Sequence, residues 1–398
     1  MRIVCHKTIL AEIINTVQKA VSSKTVMPIL ECIKIDAFSD GKLLFTANNL
    51  DLCIEYNCVC DVKEPGSIAL SSRMFGDIIR RLPDENVLIE VNEKNNVTTI
   101  KCGKSEFNIQ GLNALEYPEV PEVSEVYSLS IKEETLKNMI KKTLFAVSQN
   151  EAKRPILTGA LFEIQSGVLS VVSTDSYRLA LISEVVDAGL EEKQFVVPGF
   201  ALRELLKVLK DGNDLVKIIV SDRFANFQFE DFKITTRLLE GKYINYRPVL
   251  TTPNSIYVNA YAKDLADSLE RAALIINDDM SAKAEKLPVI LNISEESIEI
   301  TCMTARGKVY DAVEVSTSGE DLEIGFNHKL LLDALRACED DEIKMEFSNP
   351  RSSCFIRKKE NSNYTFMILP VRLYNNWYEY WKNSKYWYGP ELLSGIWW

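Results

Sequence analysis

One pattern, an amphipathic helix followed by alternating strands, occurs three times along the chain and constrains the fold more than any other feature. The first copy runs KTILAEIINTVQKA (residues 7–20) and, after a loop, PILECIKIDAFSDGKLLFTANNLD (28–51). The second runs KEETLKNMIKKTLFAV (132–147) and PILTGALFEIQSGVLSVVSTD (155–175), and the third AKDLADSLERAALII (262–276) and LPVILNISEESIEITCMTA (287–305). Each helical stretch carries apolar residues at helical spacing, such as Ile9, Ile13, Ile14 and Val17, or Leu136, Met139, Ile140 and Leu144, which predicts one core-facing stripe per helix. The segments after them alternate, as at Ile33 and Ile35 or Leu291 and Ile293, and reverse at turn formers such as Ser39-Asp40-Gly41. That reads as a helix packed on an antiparallel sheet, an α+β arrangement.

A half-repeat follows each copy: SSRMFGDIIRRLP from Ser71, GFALRELLKVLKDG from Gly199 and NHKLLLDALRACED from Asn327, each succeeded by further alternating strands. The proline-bearing links YPEVPEVSEV (117–126) and YRPVLTTPNS (246–255) fall between successive pairs. They predict three similar domains, at 1–121, 122–250 and 251–373, of two helix-plus-strand units each. A chain of 398 residues, 46% hydrophobic, is long enough for two or three such cores.

The formal net charge of -11 argues against indiscriminate nucleic-acid binding, so any DNA contact must be local. Basic residues do recur on the predicted helices: Lys19, Arg73, Arg80 and Arg81, then Lys137, Lys141, Lys142, Arg203, Lys207 and Lys210. The third domain has fewer, with Arg271, Lys329 and Arg336 among carboxylates. Recurrence on corresponding helices of an acidic chain predicts that one surface presents positive charge to a polyanion. No apolar run reaches membrane-spanning length, and the expected location is cytoplasmic. The nine cysteines are scattered and odd in number, which suits reduced thiols. Cys58 and Cys60 form a C-x-C pair with no second pair at metal-ligand spacing, so strand alternation explains them better than a metal. The chain has only two histidines, His6 and His328, and nothing around them recommends a triad; no cofactor is expected. Four adjacent acids, Glu339, Asp340, Asp341 and Glu342, keep a metal-dependent phosphodiesterase as an alternative, although neighbouring residues cannot all converge on one ion. A peptide-binding scaffold without DNA is the other alternative.

Several segments together make the chain resemble the beta subunit of bacterial DNA polymerase III over residues 1–373. They are MPIL (27–30), SSRMFGDIIRRLP, STDSYRLAL (173–181), EGKYINYRPVL (240–250), EIGFN (323–327) and FMILPVRL (366–373). The resemblance implies a DNA clamp fold and a head-to-tail homodimer closing into a ring of six domains, with helices lining the hole. Such a ring is a processivity factor, not an enzyme: topology retains DNA while long basic side chains make exchangeable phosphate contacts. Lys24, Arg73 and Gln149 match the family's DNA-contacting positions, and the basic helix faces add Arg80, Lys141 and Lys207. The implied partners are duplex DNA, a second copy, and a replicative polymerase subunit, clamp loader and repair proteins that insert short peptides. The peptide pocket, between the second and third domains, would be walled by Leu157, Thr174, Tyr177, Arg178, Leu179, Ile244, Val249, Ser353, Met367, Pro370, Val371, Arg372 and Leu373. Ser176-Tyr177 stands where the family commonly has Gly-His, and Ile244 where it has proline, so peptide preference should differ in detail. The ring seam would pair Ile78, Phe107 and Ile109 of one subunit with Leu274 and Ile275 of the other.

After Leu373 the chain continues YNNWYEYWKNSKYWYGPELLSGIWW, which holds all five tryptophans. So abrupt a change reads as an appended or disordered segment; the sharper alternative is that Leu392, Leu393, Ile396 and Trp397 mimic a partner peptide.

Overall fold

The computed structural model describes the chain outside residues 23–24, 151–153, 188–191, 279–286, 305–306, 340–341, 361 and 374–398, and outside the side chains of 277–278. Seven helices are described: α1 (Lys7–Val17), α2 (Ser72–Arg81), α3 (Glu133–Leu144), α4 (Gly199–Leu206), the short α5 (Arg247–Leu250), α6 (Ala262–Asp278) and α7 (His328–Cys338). Local chemistry sets several starts: the His6 ring accepts from Thr8 N–H at α1, Ser71 Oγ from Met74 N–H at α2, and Asn327 Oδ1 from Lys329 N–H at α7. Each satisfies one of the orphan donors of a first turn. The buried stripe of α1 is Leu10, Ile13, Ile14 and Val17. Ile9, expected in it, is exposed instead, because Leu10 lies three and four residues before Ile13 and Ile14 and takes the centre of the stripe. The reversal at 39–41 is present: Phe38 N–H bonds Lys42 C=O, Asp40 Oδ1 accepts from Lys42 N–H, and Gly41 takes φ +89°.

The chain divides into two compact units, one of Met1–Ile140, Ala152–Ser170 and Glu184–Lys242, the other of Lys141–Glu151, Val171–Ser183 and Tyr243–Trp398. In the first, a five-stranded antiparallel sheet has the order Asp61–Glu64, Arg2–His6, Asn86–Asn92, Val97–Cys102, Ser105–Gln110. An eight-stranded sheet follows the order Tyr127–Lys132, Leu215–Val220, Phe224–Gln228, Phe232–Arg237, Leu52–Val59, Lys42–Asn48, Cys32–Ala37, Gly66–Ser71. Its central ladder, from Phe232↔Tyr56 to Thr236↔Leu52, joins strands of the first and second sequence repeats into one sheet. Helices α1 and α2 pack together. The first link is tied down at its start: the Tyr117 hydroxyl accepts from Asn48 N–H and donates to Cys32 C=O, and Tyr117 is buried with Ile29, Leu30, Cys32 and Ala69.

In the second unit the strands Arg178–Val185, Tyr364–Ile368, Cys354–Lys358, Glu342–Phe347, Ile256–Tyr261 and Ser316–Ser318 lie in that order. Again a ladder, Arg178↔Ile368 to Ile182↔Tyr364, joins different repeats, here the second and third. A four-stranded sheet runs Gly307–Glu314, Ser297–Thr304, Val289–Ile293, Leu322–Phe326, and α6 packs against α7. Three sequence repeats thus give two compact units, because main-chain ladders cross the links between repeats.

Candidate functional site

In the second unit, three of the segments that stand out in the sequence are bound to one another through their backbones. Strand pairing sets Arg178 opposite Ile368 and Leu179 opposite Met367. Leu369 N–H then bonds Tyr177 C=O at 2.9 Å, and Val371 N–H bonds Gly325 C=O at 2.8 Å. STDSYRLAL, EIGFN and FMILPVRL therefore form one surface. Tyr243 adds a fourth segment: its hydroxyl reaches Val172 C=O at 3.4 Å, and burial pushes its phenol up from the ordinary tyrosine value.

The tight turn at 174–178 is closed by its own polar groups. Thr174 Oγ1 donates to Arg178 C=O at 2.6 Å, and Asp175 Oδ1 accepts from the N–H groups of Tyr177 and Arg178. Ser176 sits at φ +78°, a left-handed conformation that costs an L-residue energy and glycine none. That is the physical content of a serine where the resemblance expects glycine. Arg178 is only 9% exposed, with Nε 3.0 Å from Asp175 Oδ2, Nη1 2.7 Å from Asp333 Oδ2 on α7, and its guanidinium 5.2 Å from the Phe145 ring. It is a strut rather than a free anchor. Thr174, Leu179 and Met367 are likewise buried. The accessible members are Tyr177 (63% exposed), Val249 on α5 and Arg372, with Ile244, Ser353, Pro370, Val371 and Leu373 half-buried. Leu157 belongs to the first unit and is buried there. Asp175, Phe145, Asp333 and Gly325 support this surface without having been singled out. All four stand inside quoted segments, but the contacts of Asp333 and Phe145 with Arg178 arise only through the fold.

Of the residues expected at a seam, Phe107 and Ile109 lie on an edge strand, Ile78 on α2, and Leu274 and Ile275 on α6. Ser105–Gln110 is the last strand of the five-stranded sheet, with Phe107 opposite Ile100 and Ile109 opposite Thr98. Phe107 is 40% exposed and Ile78 half-buried, while Ile109 is already buried within the single chain and has little surface left to lose. Gly307–Glu314 is the last strand of the four-stranded sheet. The Ile275 side chain on α6 lies close to Gly307, and Leu274 is 71% exposed.

The basic residues are more tightly engaged than their recurrence suggested. Arg80 pairs with Asp77 at 2.8 Å and donates to Asn15 and Gln18; Lys207 pairs with Glu204 at 2.7 Å; Lys137 pairs with Asp211 at 2.8 Å; Lys141 pairs with Glu339. Lys142, expected on an exposed face, is buried: it donates to Ala337 C=O and stands over the Tyr364 ring. Its position in α3 turns it inward, where the long stem is covered and the head finds a carbonyl. Lys19 is half-buried in a 3-10 turn (Gln18–Ala20), and desolvation pulls its ammonium down, with Glu204 opposing. Arg73 and Gln149 are exposed; Lys24 lies outside the described residues. Surface pairs of this kind are worth about 0–1 kcal/mol, so a phosphate can take over a lysine from its carboxylate. Glu339 and Glu342 are held by Lys141 and Lys359; Asp340 and Asp341 lie outside the described residues, as does the segment from 374. No helix among the described residues is long and apolar enough to cross a membrane.

Family models for the DNA polymerase III beta subunit match in sequence: the N-terminal domain at residues 1–121, the central domain at 130–245 and the C-terminal domain at 248–372. The chain belongs to the DNA polymerase III beta subunit family. The beta sliding clamp of Bacillus subtilis is 35% identical over 388 residues, 94% of this chain and 100% of that one. The crystal structure of the DNA polymerase sliding clamp from Bacillus subtilis superposes with a TM-score of 0.88 at 35% identity, covering 94% of this chain and 100% of the other. The sliding clamp from Pseudomonas aeruginosa, solved bound to griselimycin, has a TM-score of 0.87 at 26% identity, with the same coverage. The fold is the three-domain DNA clamp fold, and the function is that of a DNA sliding clamp, a polymerase III subunit without catalysis of its own.

Proposed function

We propose that two copies of this chain, with domains at 1–121, 122–250 and 251–373, close head to tail around duplex DNA in the cytoplasm. The observation that carries the reading is a pair of open sheet edges at Ser105–Gln110 and Gly307–Glu314, each beside surface apolar residues. An unpaired edge offers a row of main-chain donors and acceptors. Two different edges on one chain give a heterologous contact, which closes when the rotation per copy allows. Ile78 and Phe107 would meet Leu274 and Ile275 across each seam, with Ile109 behind them. Retention on DNA is then topological, and Arg73, Arg80, Lys141, Lys207, Gln149 and Lys24 need only brief phosphate contacts.

The surface built on Tyr177, Val249, Met367 and residues 370–373 would hold a short extended peptide, with Thr174, Arg178, Leu179, Ile244 and Ser353 completing or supporting its wall. Polymerase, clamp loader and repair proteins would share it, and tethering raises the polymerase's effective concentration at the primer end. The test is to load the protein onto nicked circular DNA with a clamp loader, isolate the complex by gel filtration, and cut the circle with a restriction enzyme. Retention on the circle and loss from the cut ends is the expected result. Failure to be retained with a working loader, or equal retention before and after cutting, would sink the reading.

A further inference from the structure

Three thiols from two separate stretches of chain meet in the first unit, at the corner where the backbone passes from the eight-stranded to the five-stranded sheet. Cys58 lies in Leu52–Val59, Cys60 between that strand and Asp61–Glu64, and Cys5 in Arg2–His6. The sulfurs of Cys58 and Cys60 are 3.9 Å apart, and the Cys5 thiol lies close enough to interact with that of Cys60. Cys60 N–H is fixed to Gly41 C=O at 3.0 Å. Cys58 and Cys60 are half-buried and Cys5 is buried.

Interactions with the Cys5 and Cys58 thiols hold the Cys60 thiol well below its ordinary value, against the effect of burial. Those of Cys5 and Cys58 are pushed up, first by the same interactions and then by burial. The other six cysteines, Cys32, Cys53, Cys102, Cys302, Cys338 and Cys354, are buried. Burial raises the Cys32 and Cys302 thiols to about 11. Nucleophilic reactivity belongs to the thiolate, so it should concentrate on Cys60.

Strand geometry separates the two neighbours of Cys60. The ladder Ile3↔Val62, Val4↔Asp61 ends one residue short of Cys5 and Cys60, which are therefore the next positions on its two sides. Facing residues on antiparallel strands have Cα atoms about 4.5–5.5 Å apart, inside the range of about 4.4–6.8 Å that a disulfide accepts. Cys58 and Cys60 are two apart in sequence, and such positions on extended chain are about 6.4–6.8 Å apart, at the outer limit of that range. Cys5 can therefore be bridged to Cys60 with little backbone movement, and Cys58 less readily.

We propose that Cys5, Cys58 and Cys60 form a peroxide-sensitive thiol site, in which Cys60 attacks, Cys5 resolves, and Cys58 holds Cys60 in place by hydrogen bonding. Cys60 thiolate attacks one oxygen of hydrogen peroxide, the O–O bond breaks, and hydroxide leaves, giving a sulfenic acid. Cys5 sulfur then displaces the second oxygen; the protons of the two thiols leave with the oxygens as water. Two thiols and one peroxide become one disulfide and two waters.

The full chain would be treated with stoichiometric hydrogen peroxide at neutral pH, its remaining thiols alkylated after denaturation, and non-reduced tryptic peptides analysed by mass spectrometry. The expected product joins the peptide of residues 3–7, which holds Cys5, to that of 43–63, with Cys53 and Cys58 alkylated and two of the nine thiols lost. Cys58→Ser keeps this crosslink, Cys60→Ser abolishes it, and Cys5→Ser stops at a sulfenic acid on Cys60 that dimedone traps. A disulfide between Cys58 and Cys60 instead of the crosslink would overturn the assignment of roles. Nine intact thiols, at a dose that oxidises free cysteine, would overturn the site itself.

Discussion

Replacing Arg178 by methionine, which keeps most of the apolar stem, isolates the contribution of its charge. The side chain is 11% exposed and spans two carboxylates, at 3.0 Å and 2.7 Å. Breaking a buried ion pair from one side costs about 3–5 kcal/mol when the remaining charge stays dry. Here neither carboxylate is left so exposed to that penalty. The Asp333 side chain is 39% exposed and can be rehydrated, and Asp175 keeps two main-chain N–H donors. The expected cost is therefore about 2–3 kcal/mol, the upper part of the range for lost charge-assisted hydrogen bonds. At about 2–4 °C per kcal/mol for a body of this size, the transition of the unit that contains it should fall by about 5–10 °C in scanning calorimetry. Asp333→Asn, which disturbs only the wetter contact, should cost about 1 kcal/mol or less. If Arg178→Met lowers that transition by under about 2 °C, or if Asp333→Asn matches it, the strut reasoning is wrong.

Ser176→Gly trades relief of a left-handed residue, about 1–2 kcal/mol, against glycine's extra entropy in the unfolded chain, about 0.5–1 kcal/mol. It should raise the urea midpoint slightly, whereas Ser176→Val should lower it; the reverse order would contradict the backbone at this turn. A Cβ on Gly325 would stand 2.8 Å from Leu373 Cδ2 and 3.2 Å from Pro288 Cβ. Gly325→Val should thus displace the closing segment and weaken binding of a fluorescent partner peptide by about tenfold or more, and unchanged affinity would remove that segment from the peptide surface. Leu274→Ser removes about 1.5–3 kcal/mol of apolar burial from each seam and should shift sedimentation toward single chains; an unaltered profile would place the seam elsewhere. Burial, reinforced by the charge of Lys329 and opposed by Asp333, holds His328 below the ordinary 6.5. The folded state therefore favours the neutral ring, so stability is full above about pH 6.5 and declines as pH falls through that value toward the depressed one. Neither ring nitrogen has a hydrogen-bond partner among the described residues; His328→Leu should flatten the decline between pH 7 and 5 in urea titrations, and an unchanged slope would assign it to other groups.

Helix positions were legible because periodicity is local: the stretches from Ser71, Asn327 and Ala262 become α2, α7 and α6 with their buried stripes in place. The strands and the turn at Gly41 follow from alternation and turn chemistry in the same way. Partnerships between distant strands were not legible. Nothing in Leu52–Val59 or Phe232–Arg237 announces that they are neighbours, since main-chain hydrogen bonding is the same for any pair of strands with matching faces. The same limit applies to charge. A lysine at a helix surface position looks free in sequence, yet Lys142 turns inward and Lys141 meets a glutamate from 198 residues away. For the peptide surface, the quoted segments contained the parts and the resemblance supplied their common purpose. The coupling of Arg178 to Asp333 belongs to the fold alone.

Because Phe232–Arg237 is hydrogen-bonded along Leu52–Val59, the joint between the first two repeats behaves as a weld. Bending it would shear a row of main-chain hydrogen bonds, while the covalent tether at 117–126 carries almost no load. The tether can therefore lengthen or change in sequence without softening the joint. If two copies close as proposed, the compliance that admits a duplex would lie at the seams formed by the edges Ser105–Gln110 and Gly307–Glu314 rather than at this joint.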